Sequence, residues 1–451
     1  MFDKILVANR GEIALRIVRA CRELGVGSVV AYSEADRESL AVRNADESVC
    51  IGPAPRARSY LNTPSIISAA LITGCDALHP GYGFLSENAY LCEICERLGI
   101  AFIGPPREVI ERMSDKAEAR RAMREARVPI VPGVDHPLTS VELASKAAAD
   151  IGYPVMLKAV AGGGGRGMRV ARNRLELENS FAVASAEAEA AFGDGSMYLE
   201  RYLDRPRHVE VQVMGDKKGR IIELGERDCS LQRRQQKLVE ESPAPNLSNK
   251  MREMLRESAI RGAKHIKFNN VGTFEFLMES PDQYYFVEMN TRIQVEHTVT
   301  EMVAGIDLVK WQIRLAAGED LTLAQKNVRL EGHAIECRIT AEDYQRDFAP
   351  RTGTVDMYLP PGGPGVRVDS HLYTGYTVPP HYDSLLAKLV VWGVDRDEAL
   401  ARMSRALEEF IISGVETTIP FHQALFGDPE FRAGNVHTRF IEGRFRTSVP
   451  V

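Results

Sequence analysis

The chain contains no apolar run of about 18 residues, the length that a membrane-spanning helix requires, so the sequence predicts no transmembrane segment. It also lacks an excess of positive charge. A net charge of −6 gives no basic field for nucleic acid and no polybasic signal for a membrane surface. Cysteine is sparse, at seven in 451 residues, which is typical of a reduced cytoplasmic protein. Asp3 and Lys4 carry charge where a secretory signal would be apolar, so we expect no signal peptide.

The length and composition predict a soluble protein of several domains. At 451 residues the chain is too long for one core, and about three domains are expected. Hydrophobic content of 44% and charged content of 26% are those of a globular protein. Cys92 and Cys95 form a C-x-x-C on a predicted helix; without a second pair we interpret it as coincidence rather than a metal or redox site. We interpret Cys229 as structural.

The first part of the chain, residues 1–115, alternates short β runs with amphipathic helices. This rhythm, as in KILVAN, EIALRIVRACRELG and SVVAYS, predicts an open parallel sheet covered by helices. HPGYGFLSEN, residues 79–88, follows a predicted strand, at the edge where ligands bind in such sheets. We expect a turn capped by Ser86 and Glu87 before the next helix. Tyr82, between two glycines, is predicted to contact a substrate.

A glycine-rich segment follows a predicted hinge. The helix in residues 115–133 is expected to end at Pro129 and Pro132. Residues 162–167 formally match G-x-G-x-x-G, yet the next residues, MRVAR, alternate as a strand, so a dinucleotide site is disfavoured. A Walker A motif is absent. We expect a β-hairpin with a mobile tip that closes over phosphates, with a disordered loop as the alternative.

The stretch FVEMNTRIQVEH, residues 286–297, predicts a site. Read as one extended strand, it places alternate polar side chains on one face: Glu288, Asn290, Arg292, Gln294 and Glu296. A solvated edge strand would alternate in the same way. TFEFLME, residues 273–279, precedes it at hairpin distance and adds Glu275. Acid and amide ligands on neighbouring strands suit Mg²⁺, and an arginine with a further carboxylate suits a small anion and a base.

Two further segments complete the pattern. Residues 197–229 read as strand, loop, strand, turn and strand, with His208, Glu210 and Gln212 on one face. The polar cluster QRRQQK that follows is predicted to face phosphate, although a solvated loop is the ordinary alternative. From Gly332 the composition changes to β runs and Gly/Pro-rich turns, with a terminal helix predicted in DRDEALARMSRALEEFIISG.

Nine motifs in collinear order resemble those of biotin carboxylase. They are NRGEIALR, HPGYGFLSEN, GGGGRGM, RHVEVQV, ERDCSLQRRQQK, GTFEF, VEMNTRIQVEH, GHAIECRI and GYTVPPHYDS. The resemblance implies a fold that is α/β and α+β multidomain. It comprises a Rossmann-like domain at 1–115, an ATP-grasp domain at 116–330 with a mobile lid at about 132–203, and a β-rich domain at 331–451.

The same resemblance implies roles for individual residues. Nucleotide contacts are implied for Lys116, Lys158, Gly163, Gly164, Gly165, Gly167, Glu200, Leu203, His208, Gln232, Gln235, Glu275 and Glu288. Ligands of Mg²⁺, with Mn²⁺ as an alternative ion, are implied at Glu275, Glu288 and Asn290. Bicarbonate would be held by Lys237, Arg292, Gln294 and Val295, with Glu296 as its base. Arg338 would face the ureido oxygen of biotin near Tyr82. The catalytic set is therefore Arg292, Glu296, Lys237 and Arg338.

The resemblance also implies a reaction and partners. ATP would activate bicarbonate as carboxyphosphate, and biotin on a separate carrier protein would be carboxylated for a downstream carboxyltransferase subunit. We expect a homodimer. Acetyl-CoA carboxylase is the expected context, and pyruvate or propionyl-CoA carboxylase or another ATP-grasp ligase are the alternatives. Gln235 stands where many relatives have histidine, so a proton-transfer role there is in doubt. Pro364 stands where some have an aromatic residue between subunits.

Overall fold

The protein, seen in a computed structural model, is described at residues 1–134, 136–160 and 168–445. Its N-terminal part is a parallel sheet of strand order β3-β2-β1-β4-β5. The strands are β1 Lys4–Val7, β2 Gly27–Ser33, β3 Glu47–Gly52, β4 Ala77–His79 and β5 Ala101–Phe102. The helices are α1 Gly11–Leu24, α2 Leu40–Asn44, α3 Thr63–Ile72, α4 Ala89–Arg97 and α5 Arg107–Ser114. Hence the predicted parallel sheet is confirmed.

α6 Lys116–Glu125 comes next, and its buried side chains belong to the core of the central sheet. A smaller unit follows. Its elements are α7 Val141–Ile151, β6 Val155–Ala159, β7 Arg169–Ala171, α8 Arg174–Phe192 and β8 Met197–Arg201. β6 pairs with β7 and with β8, both antiparallel, so β6 and β7 are paired as the two strands of the predicted hairpin. Its glycines at 163, 164, 165 and 167 lie outside the described residues. α6 ends at Glu125, before Pro129, because Arg127 already takes a positive φ of 55°. The expectation that the prolines end the helix is therefore wrong.

The largest sheet has the order β13-β12-β9-β10-β11-β14-β21-β19. Its first strands are β9 Arg207–Gly215, β10 Ile221–Arg233, β11 Gln236–Ser242, β12 Asn270–Ser280 and β13 Gln283–Asn290. The helices α9 Asn249–His265, α10 His297–Ala304 and α11 Leu308–Ala316 accompany them. Apolar side chains of this sheet, among them Val209, Val211, Phe274 and Phe276, pack with α9 in one buried cluster. This packing leaves the opposite face for the polar side chains of the same strands.

The C-terminal part extends the same sheet. It comprises β14 His333–Thr340, β15 Glu342–Asp343, β16 Ala349–Pro350, β17 Gly353–Thr354, β18 Met357–Leu359, β19 Val366–Ser370, β20 Thr377–Val378, β21 Leu385–Gly393 and β22 Ile411–Ser413. Its helices are α12 Arg396–Glu409, α13 Ile419–Phe426, α14 Pro429–Arg432 and α15 Phe440–Arg444. The predicted terminal helix is too long, because Ile411–Ser413 pairs with β18 instead. β11 pairs with β14, which joins this part to the central strands.

Across the described ranges, no helix combines the length and the apolar character needed to span a bilayer.

Candidate active site

The polar site lies where β9, β12 and β13 run side by side. Glu275 on β12 is opposite Glu210 on β9 and opposite Glu288 on β13. Three carboxylates therefore stand in a row across the sheet. Glu210 and Glu275 are buried and Glu288 is exposed. Repulsion from the facing Glu275 carboxylate is the main cause that raises the pKa of Glu288.

The predicted strand over residues 286–297 is wrong in its second half. β13 ends at Asn290, residues 291–296 form turns, and α10 begins at His297. The register of β12 and β13 also shifts between the Glu275–Glu288 and Phe276–Phe286 pairs, which leaves Val287 and Glu288 exposed together. This bulge breaks the strict alternation that the sequence predicts.

The turns nevertheless bring the predicted polar side chains together. Gln294 donates from Nε2 to Glu275 Oε1 at 2.7 Å, and Asn290 donates from Nδ2 to the same oxygen at 2.8 Å. Arg292 donates from Nη2 to Asn290 Oδ1 at 2.7 Å. The polar side chains are thus gathered by hydrogen bonds to Glu275 and Asn290, and not by their alternation along an extended strand.

Lys237 is the centre of charge in the site. Its ammonium lies 2.7 Å from Glu210, 3.1 Å from Glu275 and 2.6 Å from Glu296. Burial alone would lower the pKa of Lys237, but these three carboxylates raise it well above its ordinary value. Burial likewise opposes the charge of Glu275, yet Lys237 and His208 hold its pKa well below the ordinary range.

Glu296 is held by two cations. Lys237 contacts one of its oxygens, and Arg338 Nη2 donates to the other at 3.0 Å. These cations outweigh the effect of burial and hold the pKa of Glu296 below its ordinary range. Arg338 on β14 also donates from Nε to Glu240 Oε1 at 2.6 Å. Burial raises the pKa of Glu240 to about 7, in spite of that arginine.

A cavity of about 610 Å³ opens beside these groups. Its walls include Tyr82, Lys237, Arg292, Val295 and Arg338. It therefore brings the residue predicted at biotin and the residues predicted at bicarbonate into one space.

The nucleotide residues are placed on other elements. Lys158 on β6 forms an ion pair with Glu200 on β8, and Arg120 Nη1 donates to Glu200 at 2.8 Å. Lys116 begins α6, and Leu203 is buried after β8. His208 Nε2 lies 3.0 Å from Glu275, which ties β9 to the carboxylate row. Gln232 is buried near the end of β10.

The polar cluster predicted to face phosphate is a tight hairpin rather than a loop. β10 ends at Arg233 and β11 begins at Gln236, so the turn is Arg234 and Gln235. Both have positive φ, 47° and 67°, as in the type I′ turns that suit a two-residue hairpin. Gln235 is exposed at its tip.

The sequence patterns did not identify two residues that organise the site, Glu87 and Arg227. Glu87 was expected to cap α4, but Asn88 does so by accepting from Leu91 N at 2.7 Å. Glu87 instead accepts from Arg292 Nε at 2.9 Å and from Thr291 N at 3.0 Å. Its partners are about 200 residues away in the chain, so no local pattern marks them.

Arg227 was also missed, although a charge flanked by β runs is a signal for a buried polar partner. It is fully buried, and its five N–H groups are directed at acceptors between 2.6 and 3.1 Å away. The acceptors belong to Glu210, Gln212, Thr273, Gln294 and Thr300. Arg227 thereby holds Glu210, whose other oxygen contacts Lys237.

The carboxylates of Glu275 and Glu288 fit a divalent cation. Mg²⁺ prefers oxygen ligands, and these two carboxylates face each other on paired strands. Asn290 lies beside them, with Nδ2 donating to Glu275 and Oδ1 accepting from Arg292. The raised pKa of Glu288 shows the like-charge repulsion that a cation would relieve. Within the described residues, two groups of three possible ligand side chains have their ligand atoms within 4.8 Å of one another: His208, Glu210 and Glu275, and Glu210, Cys229 and Glu296.

Comparison with known proteins places this fold in a class. Residues 115–324 match the family model of the carbamoyl-phosphate synthase L chain, ATP binding domain. The parallel N-terminal sheet, this ATP-grasp domain and the β-rich C-terminal part define a multidomain ATP-dependent ligase fold. Residues 1–110 match the biotin carboxylase N-terminal domain, and residues 336–443 match the biotin carboxylase C-terminal domain.

Close relatives are similar over the whole chain. The biotin carboxylase of Nostoc sp. is 55% identical over 441 residues, covering 98% of this chain and 99% of the relative. A pyruvate carboxylase subunit of Methanothermobacter thermautotrophicus is 52% identical, covering 98% of this chain and 90% of the relative. The chain therefore belongs to the biotin carboxylase family.

A solved structure agrees with this assignment. The biotin carboxylase domain dimer of Hydrogenobacter thermophilus 2-oxoglutarate carboxylase, in complex with MgADP, ADP and bicarbonate, superimposes with a TM-score of 0.94. It is 49% identical, and the match covers 100% of this chain and 99% of that one.

Proposed function

We propose that this chain is the ATP- and bicarbonate-dependent enzyme that carboxylates biotin on a separate carrier protein. One observation carries the proposal. Tyr82 and Arg338, assigned to biotin, share a cavity of about 610 Å³ with Lys237, Arg292 and Val295, assigned to bicarbonate. A carboxyl group formed at one set of residues can therefore reach biotin within the same cavity.

In the first step, bicarbonate attacks the γ-phosphorus of ATP. Arg292 and Lys237 hold the anion, Gln294 and Val295 complete its cradle, and Glu296 takes its proton. One bicarbonate oxygen forms a bond to phosphorus, the bond to the bridging oxygen of ADP breaks, and carboxyphosphate and ADP result. Positioning and charge neutralisation are the main needs of phosphoryl transfer, and both fall to these cations.

Glu296 needs its cations to move before it can act as a base. With Lys237 and Arg338 both in contact, its carboxylate is too weakly basic to take the proton readily. Bicarbonate is an anion and competes for the same cations. Binding of the substrate therefore raises the basicity of Glu296 at the moment when the proton must move.

Mg²⁺ would be held by Glu275, Glu288 and Asn290. When bound, such an ion neutralises charge on the phosphate oxygens of the nucleotide. On the protein side, Lys116 and Lys158 would contact phosphates. Glu200 and Leu203 would hold the adenine end, with His208, Gln232 and Gln235 at the ribose and phosphates.

In the second step, carboxyphosphate breaks down to CO₂ and phosphate. That phosphate takes the N1 proton of biotin, and N1 then attacks CO₂ to form carboxybiotin. Arg338 stabilises the negative charge that develops on the ureido oxygen. Because carboxyphosphate is labile to water, the glycines at 163, 164, 165 and 167 are assigned to a lid that closes over the nucleotide.

The carboxyl group then passes to a carboxyltransferase subunit. We assign the chain a cytoplasmic acetyl-CoA carboxylase as its context. Relatives of similar identity belong to pyruvate and 2-oxoglutarate carboxylases, so these acceptors are the alternatives. A homodimer is proposed because the biotin carboxylase domain of the Hydrogenobacter relative was crystallised as a dimer.

The proposal is tested by phosphate release from MgATP by the purified chain. We expect release to require bicarbonate and to rise several-fold when free biotin is added. Another ATP-grasp ligase would ignore biotin, and its phosphate release would instead rise with an amine or an amino acid. That result would overturn the proposal.

A further inference from the structure

A buried lysine lies behind the cavity. Lys388 stands on β21, and its side chain is fully buried. Its Nζ donates to the backbone carbonyl of Val295 at 3.0 Å and lies 3.1 Å from Glu12 Oε1. An ammonium in such a place costs free energy unless it is paired and hydrogen-bonded, so these two contacts, with Asp369 Oδ2 at 3.9 Å, fix its position.

Glu12 is the second member of this arrangement. It lies in the first turn of α1, and its side chain is 2% exposed. The same Oε1 that faces Lys388 accepts a hydrogen bond from the Tyr82 hydroxyl. A continuous series of polar contacts therefore runs from Tyr82 through Glu12 and Lys388 to Val295.

At its Val295 end, this series of contacts is joined to the proposed base, Glu296. The carbonyl of Val295 and the N–H of Glu296 belong to one planar peptide unit. By holding that carbonyl, Lys388 fixes the orientation of the peptide that joins a bicarbonate residue to the base. At the other end of the series, Tyr82 lines the part of the cavity assigned to biotin.

We propose that Glu12 and Lys388 are positioning residues that couple the biotin loop at Tyr82 to the bicarbonate loop at Val295 and Glu296. The inference rests on the proposed function. α1, β21 and the 291–296 turns come from three separate parts of the chain, so the contact joins elements that no local segment connects. A change at Tyr82 thus alters bicarbonate binding, although the hydroxyl of Tyr82 is bonded to Glu12 and not to the bicarbonate residues.

The test uses the full chain and the variant Glu12→Gln, which keeps the side-chain size and removes the charge. The KM for bicarbonate is measured from MgATP cleavage without biotin, and the KM for biotin is measured separately. Loss of a charge-assisted contact should raise the bicarbonate KM about tenfold. The KM for ATP should change less than about twofold. The matched control is Glu241→Gln, which also neutralises a buried carboxylate but contacts His333 and Arg396, away from the cavity.

Tyr82→Phe provides a second readout that does not depend on the folding of Glu12→Gln. Removing this hydroxyl should raise the bicarbonate KM two- to threefold in the absence of biotin. An unchanged bicarbonate KM in Tyr82→Phe overturns the coupling, as does an equal effect in Glu12→Gln and Glu241→Gln. A wild-type chain without bicarbonate-dependent cleavage overturns the proposed function instead.

Discussion

At the scale of single residues, the site is a set of buried carboxylates whose charge is decided by their partners. Glu296 is kept charged by ion pairs with Lys237 and Arg338. In the described part of the chain, the neighbouring Glu240 forms an ion pair with Arg338 alone, and the charge of Glu296 helps to raise its pKa. Two carboxylates of equal burial therefore have opposite pKa shifts. Local charge, rather than depth of burial, sets which of them can serve as a base.

The first prediction concerns the proposed base. Glu296→Gln should lower turnover at least about 10²-fold, because a positioned base contributes roughly 10² to 10⁴ in rate. ATP binding should be retained, since the nucleotide residues lie on other elements. Turnover of bicarbonate-dependent ATP cleavage and the Kd for ATP check the two parts. The exposed Glu257→Gln is the control, and near-normal turnover in Glu296→Gln would remove this residue from the base role.

The second prediction is a pH dependence of stability at Glu240. Its pKa is raised from 4.5 to about 7, so the folded protein binds the proton more tightly than the unfolded chain does. The associated stabilisation is present below pH 4.5 and is lost as the pH rises through 7, up to about 3 kcal/mol. The Tm of the wild-type chain should therefore fall relative to that of Glu240→Gln between pH 5 and pH 8.

The adjacent Glu241 supplies the control of opposite sign. Burial alone would raise its pKa, but hydrogen bonds from His333 and Arg396 lower it to about 2. Its stabilisation is present above pH 4.5 and is lost as the pH falls through 2. A Tm difference between wild type and Glu240→Gln that does not change with pH would contradict the assignment of Glu240.

At the scale of elements, one buried arginine links the strands and turns that carry the site. Arg227 on β10 contacts β9 and β12, and it also reaches the turn at Gln294 and the first part of α10 at Thr300. Removing one partner of a buried ion pair leaves the other uncompensated. The hairpin and the turns that carry the site therefore depend on this side chain.

The third prediction concerns the stability that Arg227 contributes. Arg227→Met should lower the free energy of unfolding by about 3–5 kcal/mol, because Glu210 would keep a buried charge with fewer partners. Urea denaturation measures the loss. Arg405→Met, which breaks an exposed ion pair with Glu409, is the control and should cost less than about 1 kcal/mol. Equal losses in the two variants would show that Arg227 does not organise the sheet.

The elements were predictable where their pattern is local. The parallel strands, the β6–β7 pair and the β12–β13 pair follow from the alternation of apolar residues and from the kind of residues in the sequence between them. The bulge at Val287 and the end of β13 at Asn290 were not predictable, because both depend on contacts made elsewhere. Glu87, for example, binds the N–H of Thr291 from a different part of the fold.

At the scale of the whole molecule, the central sheet continues into the C-terminal part. The composition changes near Gly332, and the sequence places a domain boundary there. Yet β14 pairs with β11, so strands on both sides of that point share one sheet. Composition reports a change of local structure but does not reveal pairing between strands that are far apart in sequence. For the same reason Glu12 and Lys388, which lie in different parts of the chain, gave no joint signal.

The assembled site has one chemical consequence that can be followed atom by atom. If bicarbonate attacks the γ-phosphorus, the oxygen that forms the new bond stays with phosphorus when carboxyphosphate breaks down. The most direct measurement is mass spectrometry of the phosphate released from ATP in the presence of ¹⁸O-labelled bicarbonate, early in the reaction, before bicarbonate exchanges with water. We predict that the released phosphate carries one labelled oxygen. Unlabelled phosphate, with its new oxygen taken from water, would contradict the activation of bicarbonate at this site.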